Sequence, residues 1–114
     1  MKELRVIIAG SRDFDDFLKL MNSCADILSS IANKNSGFDK IRIISGTARG
    51  ADRLEEQYAK TMGYEISKFY PGWNGLGKRA GYVRNAEMAK FAIADENYGV
   101  LIAFWDGKAK VQNI

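Results

Sequence analysis

Histidine is missing from all 114 residues, which removes the usual general base near neutral pH and the commonest zinc ligand. No metal site is expected. The single cysteine, Cys24, has no partner for an internal disulfide. It falls on the apolar stripe of a predicted helix, where burial rather than redox chemistry is the expectation, since thiol reactivity needs an exposed electropositive setting. No run approaches the roughly 20 apolar residues that a membrane-spanning helix requires. Met1-Lys2-Glu3-Leu4-Arg5 passes directly into a short apolar strand, without a long apolar region or a small-residue cleavage site, so a cytoplasmic location is expected. Charge of one sign is also scarce. The formal net charge of +3 and the pI near 9.0 come from a modest, dispersed excess that suits nucleotides as well as nucleic acid.

What remains is the composition of one globular domain spanning residues 1–114, 46% hydrophobic and 27% charged, with no linker, repeat or low-complexity tract. Leu4 to Ala9 is nearly continuous in apolar residues and reads as a strand buried on both faces. From Asp15 or Asp16 to about Ala32, apolar residues recur at Phe17, Leu20, Met21, Cys24, Ile27, Leu28 and Ile31, the spacing of an amphipathic helix. Lys40 to Ser45 is a second strand. The helix that opens at Ala51 carries Leu54, Tyr58 and Met62 on one side, with Glu55 among its polar residues, and Gly63 ends it. Glu65 to Tyr70 is a third strand, stopped by Pro71-Gly72. A helix from about Arg79 to Ile93 carries a stripe of Val83, Ala86, Ala89, Lys90 and Ile93, and Tyr98 to Trp105 is a fourth strand. The tail, Lys108 to Ile114, is too short for another stable helix.

Strand and helix alternate, which predicts a Rossmann-like α/β three-layer sandwich around a mainly parallel sheet of about four strands. In such sheets ligands bind beyond the C-terminal ends of the strands, at a topological switch point. The unusual residues gather there. Ser45-Gly46-Thr47-Ala48-Arg49-Gly50-Ala51-Asp52 reads as strand, tight loop and helix start: a phosphate seat made of backbone N–H groups, with Arg49 to fork onto an anion and Asp52 to cap the helix or accept a ribose hydroxyl. Gly10-Ser11-Arg12-Asp13 repeats that logic at the end of the first strand. Trp73, in a glycine-rich loop, is placed to stack on a base. Arg84 and Asn85 sit where a helix can aim them at the same edge, and Asp106-Gly107 closes the fourth strand. Each also has a plainer reading, as a surface ion pair, a helix cap or a core aromatic.

Taken in order, Gly10-Ser11-Arg12-Asp13-Phe14, Ser45 to Asp52, Gly81-Tyr82-Val83-Arg84-Asn85-Ala86-Glu87-Met88 and Leu101-Ile102-Ala103-Phe104-Trp105-Asp106-Gly107 resemble the YspA, cpYpsA-related branch of the SLOG superfamily. The resemblance implies a domain that binds or senses a nucleotide or nucleotide-derived ligand, such as ADP-ribose, an NAD derivative or a nucleoside phosphate, with no cofactor required. A setting in bacterial or phage conflict systems is part of that implication. Relatives of the LOG type hydrolyse nucleoside monophosphates, pairing an arginine with a glutamate in a Pro-Gly-Gly-x-Gly-Thr-x-x-Glu motif after the last core strand. Here Arg84 occupies the arginine's place, but the glutamate and the Gly-Thr pair are missing, so catalysis would need Glu87 or Asp106 as a substitute. Hydrolysis as a phosphoribohydrolase therefore ranks second, and single-stranded nucleic-acid binding third. The final helix usual in this branch is also missing, which leads to the expectation of a homo-oligomer or a partner protein covering one face of the sheet.

Overall fold

The computed structural model describes residues 2–10, 14–34, 37–47, 51–70, 79–104 and 108–114, with Ala51 and Asp52 described through their backbone alone. The elements are β1 (Glu3–Gly10), α1 (Phe17–Lys34), β2 (Lys40–Ser45), α2 (Ala51–Met62), β3 (Glu65–Lys68), α3 (Arg79–Ile93), a 3₁₀ turn (Ala94–Glu96), β4 (Tyr98–Phe104) and β5 (Ala109–Asn113). They form one five-stranded sheet in the order β3-β2-β1-β4-β5. β1 pairs in parallel with both β2 and β4, β2 pairs in parallel with β3, and β5 returns antiparallel to β4.

The sheet thus has one strand more than the sequence predicts. The tail, expected only to be too short for another helix, supplies it: Ala109–Asn113 pairs with β4 from Val100↔Asn113 to Phe104↔Ala109. An edge strand needs only one ladder and buries little of itself, so Lys110, Val111 and Gln112 show none of the continuous apolar character that marks β1. β3 is shorter than expected and ends at Lys68, although the Phe69 amide still donates to the Ser45 carbonyl at 2.8 Å.

The start of α1 and the end of α2 follow from local chemistry. Asp16 is the N-cap of α1, its Oδ1 accepting from the Lys19 amide at 3.0 Å. Gly63, at φ +75°, ends α2 in a paired arrangement, with Tyr64 N–H on the Ala59 carbonyl at 2.9 Å and Gly63 N–H on that of Lys60 at 3.3 Å. Leu4, Val6 and Ile8 of β1 face α1 and α2, where they pack with Leu20, Cys24, Leu28, Ile43, Tyr58, Val100, Ile102 and Phe104. Burial pushes the Cys24 thiol up to about 12. The opposite face is covered by α3, through Met88 and Ala92 against Ile7 and Ile44.

Two helical stripes differ from the predicted ones. In α2 the fully buried positions are Glu55, Tyr58 and Ala59, while Met62 is 45% exposed. The helix is turned so that Glu55 lies inward, a rotation that a reading by polarity cannot anticipate. In α3 the buried stripe is Ala80, Met88 and Ala92, and Ala86, Lys90 and Ile93 face outward. Small residues set this packing: a Cβ on Gly99 of β4 would lie 3.0 Å from the Ala92 Cβ and 3.1 Å from its carbonyl oxygen.

An ion cluster ties the start of β1 to its neighbours. The Glu3 carboxylate, only 8% exposed, accepts from Arg5 Nε at 2.9 Å and from Arg42 Nε at 3.0 Å, and Arg42 also binds Glu65 and the Ser67 hydroxyl. Arg5 continues to the Phe91 carbonyl and lies over the Phe91 ring, 3.9 Å from its centroid. The Arg42 guanidinium, more than that of Arg5, holds Glu3 down at about 2 instead of 4.5.

Because that carboxyl is more acidic folded than unfolded, its contribution is full above about pH 4.5 and is lost as the pH falls toward about 2. Glu3→Gln is expected to cost about 3 kcal/mol at pH 7 and to flatten the loss of stability between those limits, measured by urea titration at each pH. Gly99→Ala is expected to cost about 1–3 kcal/mol by forcing α3 off the sheet, read from the shift of the urea midpoint at unchanged slope.

Candidate functional site

The parallel strands β1, β2 and β4 end at Gly10, Ser45 and Phe104, beside the point where strand order reverses. Phe14 stacks on Phe104 at that end, ring centroids 5.0 Å apart. Ser45, fully buried, does not present its hydroxyl to solvent. Its Oγ donates to Glu56 Oε2 at 3.1 Å and accepts from the Thr47 amide at 3.1 Å. Thr47 takes φ +59°, an uncommon conformation for a β-branched residue, held by that bond and by its own hydroxyl, which donates to the Gly46 carbonyl at 2.6 Å. The Ser45 hydroxyl thus fixes the turn from within. It also occupies the Thr47 N–H, one of the amides expected to face an anion.

Arg84 crosses from α3 to this turn. It occupies the i, i+4 series of Ala80, Met88 and Ala92, the stripe that faces the sheet, so its side chain runs toward β2 rather than into open solvent. Nη1 donates to the Gly46 carbonyl at 2.9 Å, and Nε and Nη2 donate to Asn85 Oδ1 at 3.3 and 3.2 Å. Among the described residues three of its five N–H groups are used, leaving one on each terminal nitrogen. Every acceptor is neutral, and among the described residues no carboxylate lies within ion-pair distance of Arg84.

Between α3 and the sheet lies a cavity of about 490 Å³. Gly10, Gly46, Arg84 and Asn85 form its polar end. Ile7, Ala9, Met88, Ala89, Leu101 and Ile114 give it an apolar floor and wall, and Gln112 and Asn113 border it from β5. None of its described lining residues is acidic. A volume of this size falls within the usual range for small-molecule sites.

Four of the predicted site residues therefore meet at one hollow: Gly10, Gly46, Arg84 and Asn85. Ser45 and Thr47 adjoin it but are turned into their own hydrogen bonds. Glu87 is exposed on α3 and does not border the cavity. Ser11, Arg12, Arg49, Gly50, Trp73, Asp106 and Gly107 lie outside the described residues, as does the Asp52 side chain. Among the described residues no three His, Cys, Asp or Glu side chains cluster to hold a metal ion, and no helix is long and apolar enough to cross a membrane. Sequence reasoning missed Gln112, Asn113 and Ile114. The signal available was the polar–apolar alternation of Lys110, Val111 and Gln112.

Comparison with known proteins agrees with the arrangement of strands and turns. A family model described as "YspA, cpYpsA-related SLOG family" matches residues 4–75, from β1 through β3 and beyond. The chain is also similar to the "Gene 61 protein" of Mycobacterium phage D29, 33% identical over 91 residues that cover 75% of this chain and 68% of that protein. No solved structure matches the chain. With a family match over most of the residues that build the sheet and both glycine turns, the chain belongs to the YspA, cpYpsA-related SLOG family.

Proposed function

We propose that this protein binds a nucleotide or nucleotide-derived ligand, of the ADP-ribose, NAD-derivative or nucleoside-phosphate type, in the cavity between α3 and the sheet. One observation carries the reading. The Arg84 guanidinium borders the cavity and, among the described residues, is hydrogen-bonded only to neutral oxygens and keeps one N–H on each terminal nitrogen for a bidentate anion. Its charge is solvated by dipoles but compensated by no carboxylate among the described residues. A phosphate entering the hollow supplies that compensation. Membership of a SLOG family supports the same class of ligand, and similarity to a phage protein is in keeping with a sensor role in conflict between phage and host.

Hydrolysis of a nucleoside monophosphate has less support. It calls for a carboxylate positioned at the sugar, whereas Glu87 points away from the cavity and Asp106 lies outside the described residues. Single-stranded nucleic acid would engage several phosphates through dispersed cations and bind with a steep salt dependence.

A panel of nucleotides, dinucleotides and ADP-ribose is expected to contain compounds that raise the melting temperature by more than about 5 °C at concentrations 100-fold above Kd. Arg84→Ala is expected to weaken their binding roughly 10- to 100-fold while lowering the unliganded melting temperature by no more than about 5 °C, the cost of one lost bond to Gly46. No shift with any compound overturns the proposal. Release of free base from a nucleoside monophosphate by the wild-type protein moves the reading to hydrolysis.

A further inference from the structure

The cavity is longer than an anion seat requires, and its two ends differ in chemistry. Ile7 of β1, Leu101 of β4 and Gln112 of β5 lie side by side in register, so they share one face of the sheet, the face covered by α3. This row lies three residues from Gly10 along β1, about 10 Å at the rise of a strand. Met88 and Ala89 close the slot from above, one helical turn beyond Arg84. Ile114 flanks it, held by its amide on the Gly99 carbonyl at 3.0 Å. The result is an apolar slot with a single amide at its far side. The neighbouring amide, Asn113, is engaged by the Tyr98 hydroxyl at 3.3 Å, whereas the Gln112 side chain has no hydrogen-bond partner among the described residues.

From this arrangement we infer that the slot is a nucleobase subsite, that Gln112 is its specificity-determining residue, and that adenine is the base it takes. The inference rests on the ligand class proposed above and extends it. The flat heteroaromatic ring of such a ligand would lie against Ala89 of α3 and Leu101 of β4, beside the packed pair Met88 and Ile7, with ribose toward Ala9 and phosphate at Arg84. Gln112 lies two strand spacings across the sheet from β1, so the diagonal from Gly10 to Gln112 is about 14 Å between backbones, room for a nucleotide together with its hydrogen bonds at either end. A carboxamide offers an acceptor and a donor side by side, which matches the N6 amino group and N7 of adenine in a bidentate pair. Hypoxanthine presents two acceptors along the same edge and takes only one of the two bonds.

The test is calorimetric titration of AMP, IMP and ribose 5-phosphate against the wild type, Gln112→Leu and Gln112→Glu. Gln112 is exposed on an edge strand, and unchanged unliganded melting of the variants verifies that the fold is kept. The wild type is expected to bind AMP about tenfold or more tightly than IMP, and ribose 5-phosphate more weakly than either. Gln112→Leu is expected to erase the preference between AMP and IMP without altering ribose 5-phosphate binding. Gln112→Glu, which accepts but cannot donate, is expected to weaken AMP. Equal binding of AMP and IMP by the wild type, or a preference that survives Gln112→Leu, overturns the base subsite and leaves the anion site standing. Failure of all three compounds to bind overturns both.

Discussion

Strand β1 is hydrogen-bonded on both sides by parallel partners, and the rest of the molecule is arranged around that pairing. A parallel neighbour must be reached by a crossover, and crossovers have one hand. Moving outward from β1 to β2 and then β3 places α1 and α2 on one face. Returning past β1 to β4 reverses direction and places α3 on the other. The reversal separates the exits of β1 and β4, and the hollow bordered by Gly10 and Arg84 opens there. A strand with apolar residues on both faces is the condition for all of this, and Leu4 to Ile8 supplies it.

The arginines of the α3 side show two opposite solutions to the same problem. Arg5 and Arg42 lie near the beginning of the strands, and each finds Glu3, which holds both guanidinium groups in fixed bonds and fastens β1 to β2, while Arg42 reaches on to Glu65 of β3. Their charge is spent on structure. Arg84 lies near the other end of the sheet and meets only a carbonyl and a carboxamide. Two of the three are locked by an acid, and the third borders a hollow with no acid among its described lining residues. The contrast between the two poles separates the arginines more clearly than net charge does.

Much of the architecture is legible in the chain itself. The apolar runs of β1, β2 and β4 and the period of α1 follow from residue pattern, as does the stop at Gly63. β5 is not legible because an edge strand with one exposed face looks like a polar tail. The faces of α2 and α3 are misjudged for a related reason. Glu55 is buried although its side chain is polar, and Arg84 belongs to the inward stripe although an apolar count excludes it. At the site, Gly10, Gly46, Arg84 and Asn85 are readable from motifs. Gln112 is harder to read, because its place beside the cavity comes from register against Leu101 and the alternation around it is short. The Ser45–Thr47 turn is half legible: its shape follows from the glycine and the hydroxyls, but the inward use of Ser45 depends on Glu56, eleven residues further along.

Cys24 has a practical consequence. Its thiol is sealed beneath α1 and held protonated far above neutral pH, so it stays silent toward alkylating labels in the folded protein. A cysteine installed at the cavity rim would then be the sole reactive sulfur in the chain without removal of the native one. A fluorophore attached there would report ligand entry from a single known position.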